Sequence, residues 1–150
     1  MSEPKLVFRH VDDVPWQEVR AQRHGDRRVG VHLKFLEFSP NRTLIVTHYD
    51  PGLVLDKHRH GSDHMIYITG GSLSVGDVEC TPGTMVLLEH GAAFGPLIAG
   101  PEGTDLLEFY TGDVTPSSAD EDGYKVLLEE RGITLEPNPV FNPEVGNGVG

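Results

Sequence analysis

Cysteine is almost missing: Cys80 is the only one in 150 residues, so no disulfide can form within the chain. That fits a reducing compartment, and Cys80 itself reads as a small buried hydrophobe rather than a nucleophile. Cations are scarce too, with 12 Lys and Arg against 23 Asp and Glu for a net charge of -11. A nucleic-acid groove or an anionic membrane surface needs clustered Lys and Arg, so neither is an expected partner. No apolar run approaches the ~18 residues of a membrane-spanning helix, and the opening MSEPKLVFRH lacks the apolar core of a signal peptide. The expected location is cytoplasmic. Also missing are GxGxxG, GxxxxGK and HExxH motifs and any legible internal repeat.

What is abundant is turn chemistry. With 18 Gly, 11 Pro and 37% hydrophobic residues, the chain reads as one turn-rich all-β domain rather than a helical bundle. Residues 29–36 alternate apolar and polar, and 43–49 (TLIVTHY) is a second strand with His48 on the face of Leu44 and Val46. Short strands follow at 64–69, 72–75, 78–80, 84–88, 96–99 and 105–110, broken by Gly70-Gly71, Gly76-Asp77, Pro82-Gly83 and the loop 100–103. Together they imply a sandwich or barrel. Before them, residues 1–28 form an N-terminal arm. Leu6-Val7-Phe8 is a candidate edge strand, Trp16 a candidate anchor, and the basic stretch 20–28 a solvated connection. After them, 120–131 predicts a short helix with Gly132 as its stop and Tyr124, Leu127 and Leu128 as its buried stripe. The tail beyond is an extended arm with Val140 and Phe141 as possible anchors, frayed or laid across a neighbouring subunit.

The chemistry concentrates in GLVLDKHRHGSDHMIYITGG, residues 52–71, where His58, His60 and His64 fall within one short span. His58 and His60 at i and i+2 share a strand face, and Gly61-Ser62 allows a turn that returns His64 beside them. Neutral imidazoles gathered in this way suit a first-row transition metal. The competing reading is three solvated histidines at a hairpin mouth. Near them, Glu108 on a late strand is the candidate carboxylate for acid–base work, provided it faces inward. His48, Ile66 and Phe94 are candidate pocket walls. Asp63, Glu89 and His90 read as turn residues.

The spacing resembles the first motif of the cupin superfamily: Gly, five residues, His-x-His, three residues, Glu, six residues, Gly. Here Gly52, His58, His60 and Gly71 match, and His64 stands where the family has glutamate. A second motif, Gly, five residues, Pro-x-Gly, two residues, His, three residues, Asn, aligns with Gly83, Glu89-His90-Gly91, Phe94 and Ile98. Only its glycines survive, and Phe94 replaces the ligand histidine. The resemblance covers about residues 29–112 and implies a double-stranded β-helix, a jelly-roll barrel over residues 29–113, with 114–150 packing on it as helix and tail. It also implies one divalent metal ion at His58, His60 and His64, iron by preference, with zinc, manganese and nickel as alternatives. Function follows as an expectation: a metal-dependent oxygenase acting on an apolar or aromatic organic acid or ketone. A redox-silent lyase, cyclase or isomerase, or a non-catalytic metal- or ligand-binding cupin, are the alternatives. A homodimer is expected from the resemblance alone.

Overall fold

The computed structural model describes residues 3–144. Its strands are β1 (Gln17–His24), β2 (Arg27–Ser39), β3 (Arg42–Tyr49), β4 (Val54–Leu55), β5 (His58–Gly61), β6 (His64–Val75), β7 (Val78–Cys80), β8 (Met85–Leu88), β9 (Leu97–Tyr110), β10 (Asp113–Ser118) and β11 (Ile133–Leu135), with one helix, α1 (Glu121–Arg131). The main sheet runs β11-β1-β2-β3-β9-β6-β7, with β4 on β9 and β8 on β6, while β10 and β5 form a second sheet. Every pairing is antiparallel. This is the jelly-roll barrel, a double-stranded β-helix, that the cupin resemblance implies.

Alternation places the core. Along β6, His64, Ile66 and Ile68 are buried while Met65, Tyr67 and Thr69 are exposed. Ile66 and Ile68 join Val29, Leu53, Leu97 and Leu106 in the central cluster. Gly70-Gly71 does not break this strand, and the expected loop 100–103 is strand as well. Instead β6 and β9 each run long and shift register against one another between Ile68/Gly70 and Gly71/Leu73. Gly71 has φ +66, and a Cβ there would collide with the carbonyl of Gly103, so glycine permits a bend where two backbones touch.

The basic stretch near the start is a strand rather than a connection. β1 buries Val19, Ala21 and Gln22, and the Gln22 amide closes a two-way bridge to Val54, donating to its carbonyl at 2.9 Å and accepting its N–H at 3.0 Å. Leu6 and Phe8 make no strand and are 83% exposed; Val14, not Trp16, is the buried anchor. Lys34 lies 5.0 Å over the Trp16 ring, a cation–π contact at the barrel surface.

α1 is capped as its sequence predicts. The Asp120 carboxylate accepts from Gly123 N–H at 3.0 Å, and Gly132 takes the left-handed conformation at φ 65. Leu128 packs with Val54 and Ile133, and Tyr124 donates to the Val54 carbonyl at 2.9 Å. Burying a leucine in this way stabilises by about 2 kcal/mol. The tail then folds back on its own barrel. Phe141 stacks on Phe35 with centroids 6.0 Å apart, Asn142 exchanges two hydrogen bonds with Gln17, and Val140 is fully exposed.

Candidate functional site

β5 belongs to the small sheet and β6 to the large one, so the chain turns a barrel corner across Gly61–Asp63. That corner brings the three histidines together. His58 and His60 are both buried while Arg59 between them is exposed, as strand alternation requires. The His60 ring centre lies 5.1 Å from His58 and 4.8 Å from His64.

Hydrogen bonds fix the tautomers. Nδ1 of His58 meets the Asp56 carbonyl at 2.8 Å, and Nδ1 of His60 meets the Val114 carbonyl at 2.9 Å. A carbonyl only accepts, so both Nδ1 atoms carry the proton, and in the neutral ring the lone pair is on Nε2. Burial, with His64 and His58 alongside, lowers the His60 pKa to about 4, so this ring is neutral at pH 7. His64 is turned the other way. Its Nε2 lies 3.1 Å from Glu108 Oε1, and its ring stacks on Tyr110 at 3.9 Å.

Glu108 faces inward and is buried. It accepts from the Thr47 hydroxyl at 2.5 Å and the Tyr110 hydroxyl at 3.2 Å as well as from His64. Burial pushes its pKa up, but the hydrogen bond and charge of His64 and the Thr47 hydroxyl together hold it below the ordinary value. It is a buried carboxylate ringed by donors. Burial and then Glu108 push Tyr49 and Tyr110 well above the usual tyrosine range, so both phenols keep their protons.

Above this floor lies a cavity of about 440 Å³. His58, His60, Glu108, Tyr49 and Tyr110 form its polar base. Val31, Leu33, Phe35, Ile45 and Val114 form apolar walls, with Arg20 among the lining residues and Phe141 and Asn138 contributed by the tail. Its size and apolar character suit a small organic molecule.

His60 Nε2 and His64 Nδ1 are buried without a hydrogen-bond partner. The lone pair on His60 Nε2, and the one His64 Nδ1 presents once its ring is neutral, are the donor chemistry of a divalent transition metal, and leaving buried ring nitrogens unmet is costly. The residues therefore fit a metal in donor type. As the side chains stand, no group of three or more His, Cys, Asp or Glu among the described residues is gathered to hold an ion.

Other expected site residues lie elsewhere. Phe94 is buried against His58 at 4.8 Å and His64 at 5.9 Å, and its backbone pairs with that of His58, but it does not line the cavity. Ile66 is core beneath it. His48 is on the outer face, 2.7 Å from Asp105 and 3.4 Å from Asp50, because Thr43, Ile45, Thr47 and Tyr49 take the inner face of β3. His90 and Glu89 are exposed, and Asp63 accepts from the His90 backbone N–H at 2.8 Å. Thr47, Tyr49 and Tyr110 were not singled out from sequence. Tyr110 follows Glu108 at i+2 and so shares its face, which is the signal that marks it.

A family model described as the ChrR cupin-like domain matches residues 4–114. No curated protein matches the sequence. Among solved structures, a proposed acetylacetone dioxygenase from Methylibium petroleiphilum is similar with a TM-score of 0.64 at 17% identity, over 82% of this chain and 87% of that one. The polyketide cyclase RemF from Streptomyces resistomycificus is similar with a TM-score of 0.62 at 19% identity, over 85% and 96%. KdgF from a Halomonas species has a TM-score of 0.58 at 21% identity, over 73% and 97%. At these identities the likeness is one of fold.

Proposed function

The chain belongs to the ChrR cupin-like domain family, and from that premise we propose that it is a metal-dependent small-molecule enzyme, an oxygenase acting on an apolar or aromatic organic acid or ketone. The observation that carries the reading is the pair of buried, partnerless ring nitrogens on His60, at the base of an apolar cavity, and on His64, whose ring centre is 4.8 Å from that of His60. In this reading His58, His60 and His64 hold one divalent ion, iron by preference. When bound, the ion supplies open positions for dioxygen and for a substrate oxygen.

The chain's own residues supply the rest. The Asp56 and Val114 carbonyls hold two rings in the tautomer with Nε2 free, and Glu108 holds the proton of His64 on Nε2 so that Nδ1 is the donor. The apolar walls bind the hydrocarbon part of the substrate and exclude water. Tyr49 keeps a phenol proton to offer a carbonyl oxygen, and the Arg20 guanidinium suits a carboxylate.

A redox-silent cyclase, lyase or isomerase is the second reading, favoured by the ionised Glu108 and protonated Tyr49 beside the same cavity. The dioxygenase and the cyclase among the fold neighbours exemplify the two chemistries.

Elemental analysis of protein purified without added metal, with His60→Ala alongside, tests the reading. About one equivalent of iron, lost in the variant, together with oxygen uptake on a panel of aromatic acids and ketones, supports the oxygenase. Zinc without oxygen uptake moves the assignment to the second reading. Failure to take up iron, zinc, manganese or nickel after reconstitution overturns both.

A further inference from the structure

The matched family domain spans residues 4–114, yet the cavity is finished by residues beyond it: Asn138, Phe141 and Pro143 line it from the tail. The segment that carries them, EPNPVFNP over residues 136–143, has proline at 137, 139 and 143. Proline has no N–H to give a sheet edge and holds the chain extended, so this is a stiff span and not a further strand. Both its ends are tied to β1. Glu136 donates its N–H to the Ala21 carbonyl at 3.0 Å and pairs through its side chain with Arg23. Asn142 exchanges hydrogen bonds of 2.7 and 2.8 Å with the Gln17 side chain. Between those ends, among the described residues, no main-chain hydrogen bond joins the span to the barrel. Val19 and Arg20, on the stretch of β1 that the span bypasses, line the cavity. The gap between span and strand therefore opens into it.

We propose that residues 137–143 are a strap that admits the substrate and sets the size of molecule retained, with Phe141 as the specificity-determining side chain and Gln17 as the latch. The inference rests on the cavity being the substrate site, and it narrows the substrate class by ring size. The two ties are unequal. The Glu136 end continues β11, which pairs with β1 over three residues, whereas the Asn142 end is held by two hydrogen bonds at the surface. A stiff span fixed more firmly at one end swings about that end when the other lets go. Phe141 is what swings with it. Its ring lies parallel to that of Phe35, with planes 5° apart, and forms an aromatic wall of the cavity, while Val140 beside it faces solvent. Asn138 has a second place in the argument. It lines both this cavity and a neighbouring one of about 280 Å³, which also shares Arg20 and Pro116. The strap thus stands between two spaces, and lifting it joins them, so its position governs how long or wide a ligand can be.

Benzoate and 2-naphthoate, one ring and two, test the strap on the full chain as purified, by titration calorimetry for affinity and stopped-flow fluorescence for naphthoate rates. Phe141→Ala moves the ratio of the two affinities at least tenfold toward naphthoate. A Phe141 that served only as packing would lower the melting temperature and leave that ratio alone. Gln17→Ala, whose side chain is outside the cavity lining, speeds naphthoate association and dissociation together by about tenfold, the contribution of two surface hydrogen bonds. Its affinity ratio and circular dichroism stay as in the wild type. An unmoved ratio in folded Phe141→Ala, unchanged rates in Gln17→Ala, or no binding of either acid to wild type and Phe141→Ala overturns the proposal. Metal uptake is read separately on the same preparations. Its absence sinks the metal-dependent enzyme and leaves the strap standing, whereas an unmoved ratio in metal-loaded protein sinks the strap alone.

Discussion

Replacing Glu108 by glutamine keeps the shape of a buried side chain and removes its charge. In the native protein that charge is the acceptor for three donors: Thr47 at 2.5 Å, His64 at 3.1 Å and Tyr110 at 3.2 Å. Hydrogen bonds to a charged group exceed neutral ones by about 1 kcal/mol each, ~3 kcal/mol over three, and relief of the desolvated carboxylate returns part of that. The net expectation is a loss of about 2 kcal/mol, or roughly 6 °C in Tm for a chain of this size. The pH dependence sharpens it. The folded carboxyl titrates below its ordinary value of 4.5, so its stabilisation is complete above that value and is lost as pH falls through the lower, folded one. Urea denaturation of metal-free wild type and Glu108→Gln at pH 7, and then at steps down to about 3, is the assay. The two curves stand ~2 kcal/mol apart at pH 7 and converge in acid. Equal stability at pH 7, or a gap that persists unchanged in acid, refutes the buried-carboxylate account.

Further outcomes follow from the same geometry. His60 titrates at about 4 rather than its usual 6.5, so the unfolded chain takes up a proton first and metal-free stability declines as pH drops from 6.5 toward 4; His60→Gln flattens that decline in a urea series. Gly71→Ala, which forces a Cβ against the Gly103 carbonyl at a positive φ, costs more than ~3 kcal/mol by thermal melting. Leu128→Ala removes the buried residue that seats α1 on Val54 and Ile133 and costs about 2–4 kcal/mol, with hydrogen exchange accelerated in residues 121–135 before the barrel.

The histidine cluster was legible because strand alternation and a glycine turn are local rules: His58 and His60 face one way, and Gly61–Asp63 returns His64. The helix was equally legible, from its cap, its stop and its spaced leucines. What failed was the choice of face. On β3 the outer residues Leu44 and Val46 are more apolar than the inner Thr43 and Thr47, so hydrophobicity points His48 the wrong way. The inversion has a physical cause: the interior carries a polar site whose Thr47 serves Glu108, and the exterior carries an apolar patch. β1 was hidden for a related reason, since its arginines are exposed and its buried Gln22 is bridged to the backbone of Val54, far along the chain. Glu108 gave no local sign of its facing, because only the pairing of β9 with β3 and β6 sets it.

The account rests on three imidazole nitrogens able to share one ion. Nitrogen-15 NMR of the imidazoles during a zinc titration reads them one by one. The prediction is saturation at one equivalent, with shifts confined to Nε2 of His58 and His60 and Nδ1 of His64 while His10, His24, His32, His48 and His90 stay in place. No saturable shift at those three rings, or a response centred on His32 and His48, contradicts it.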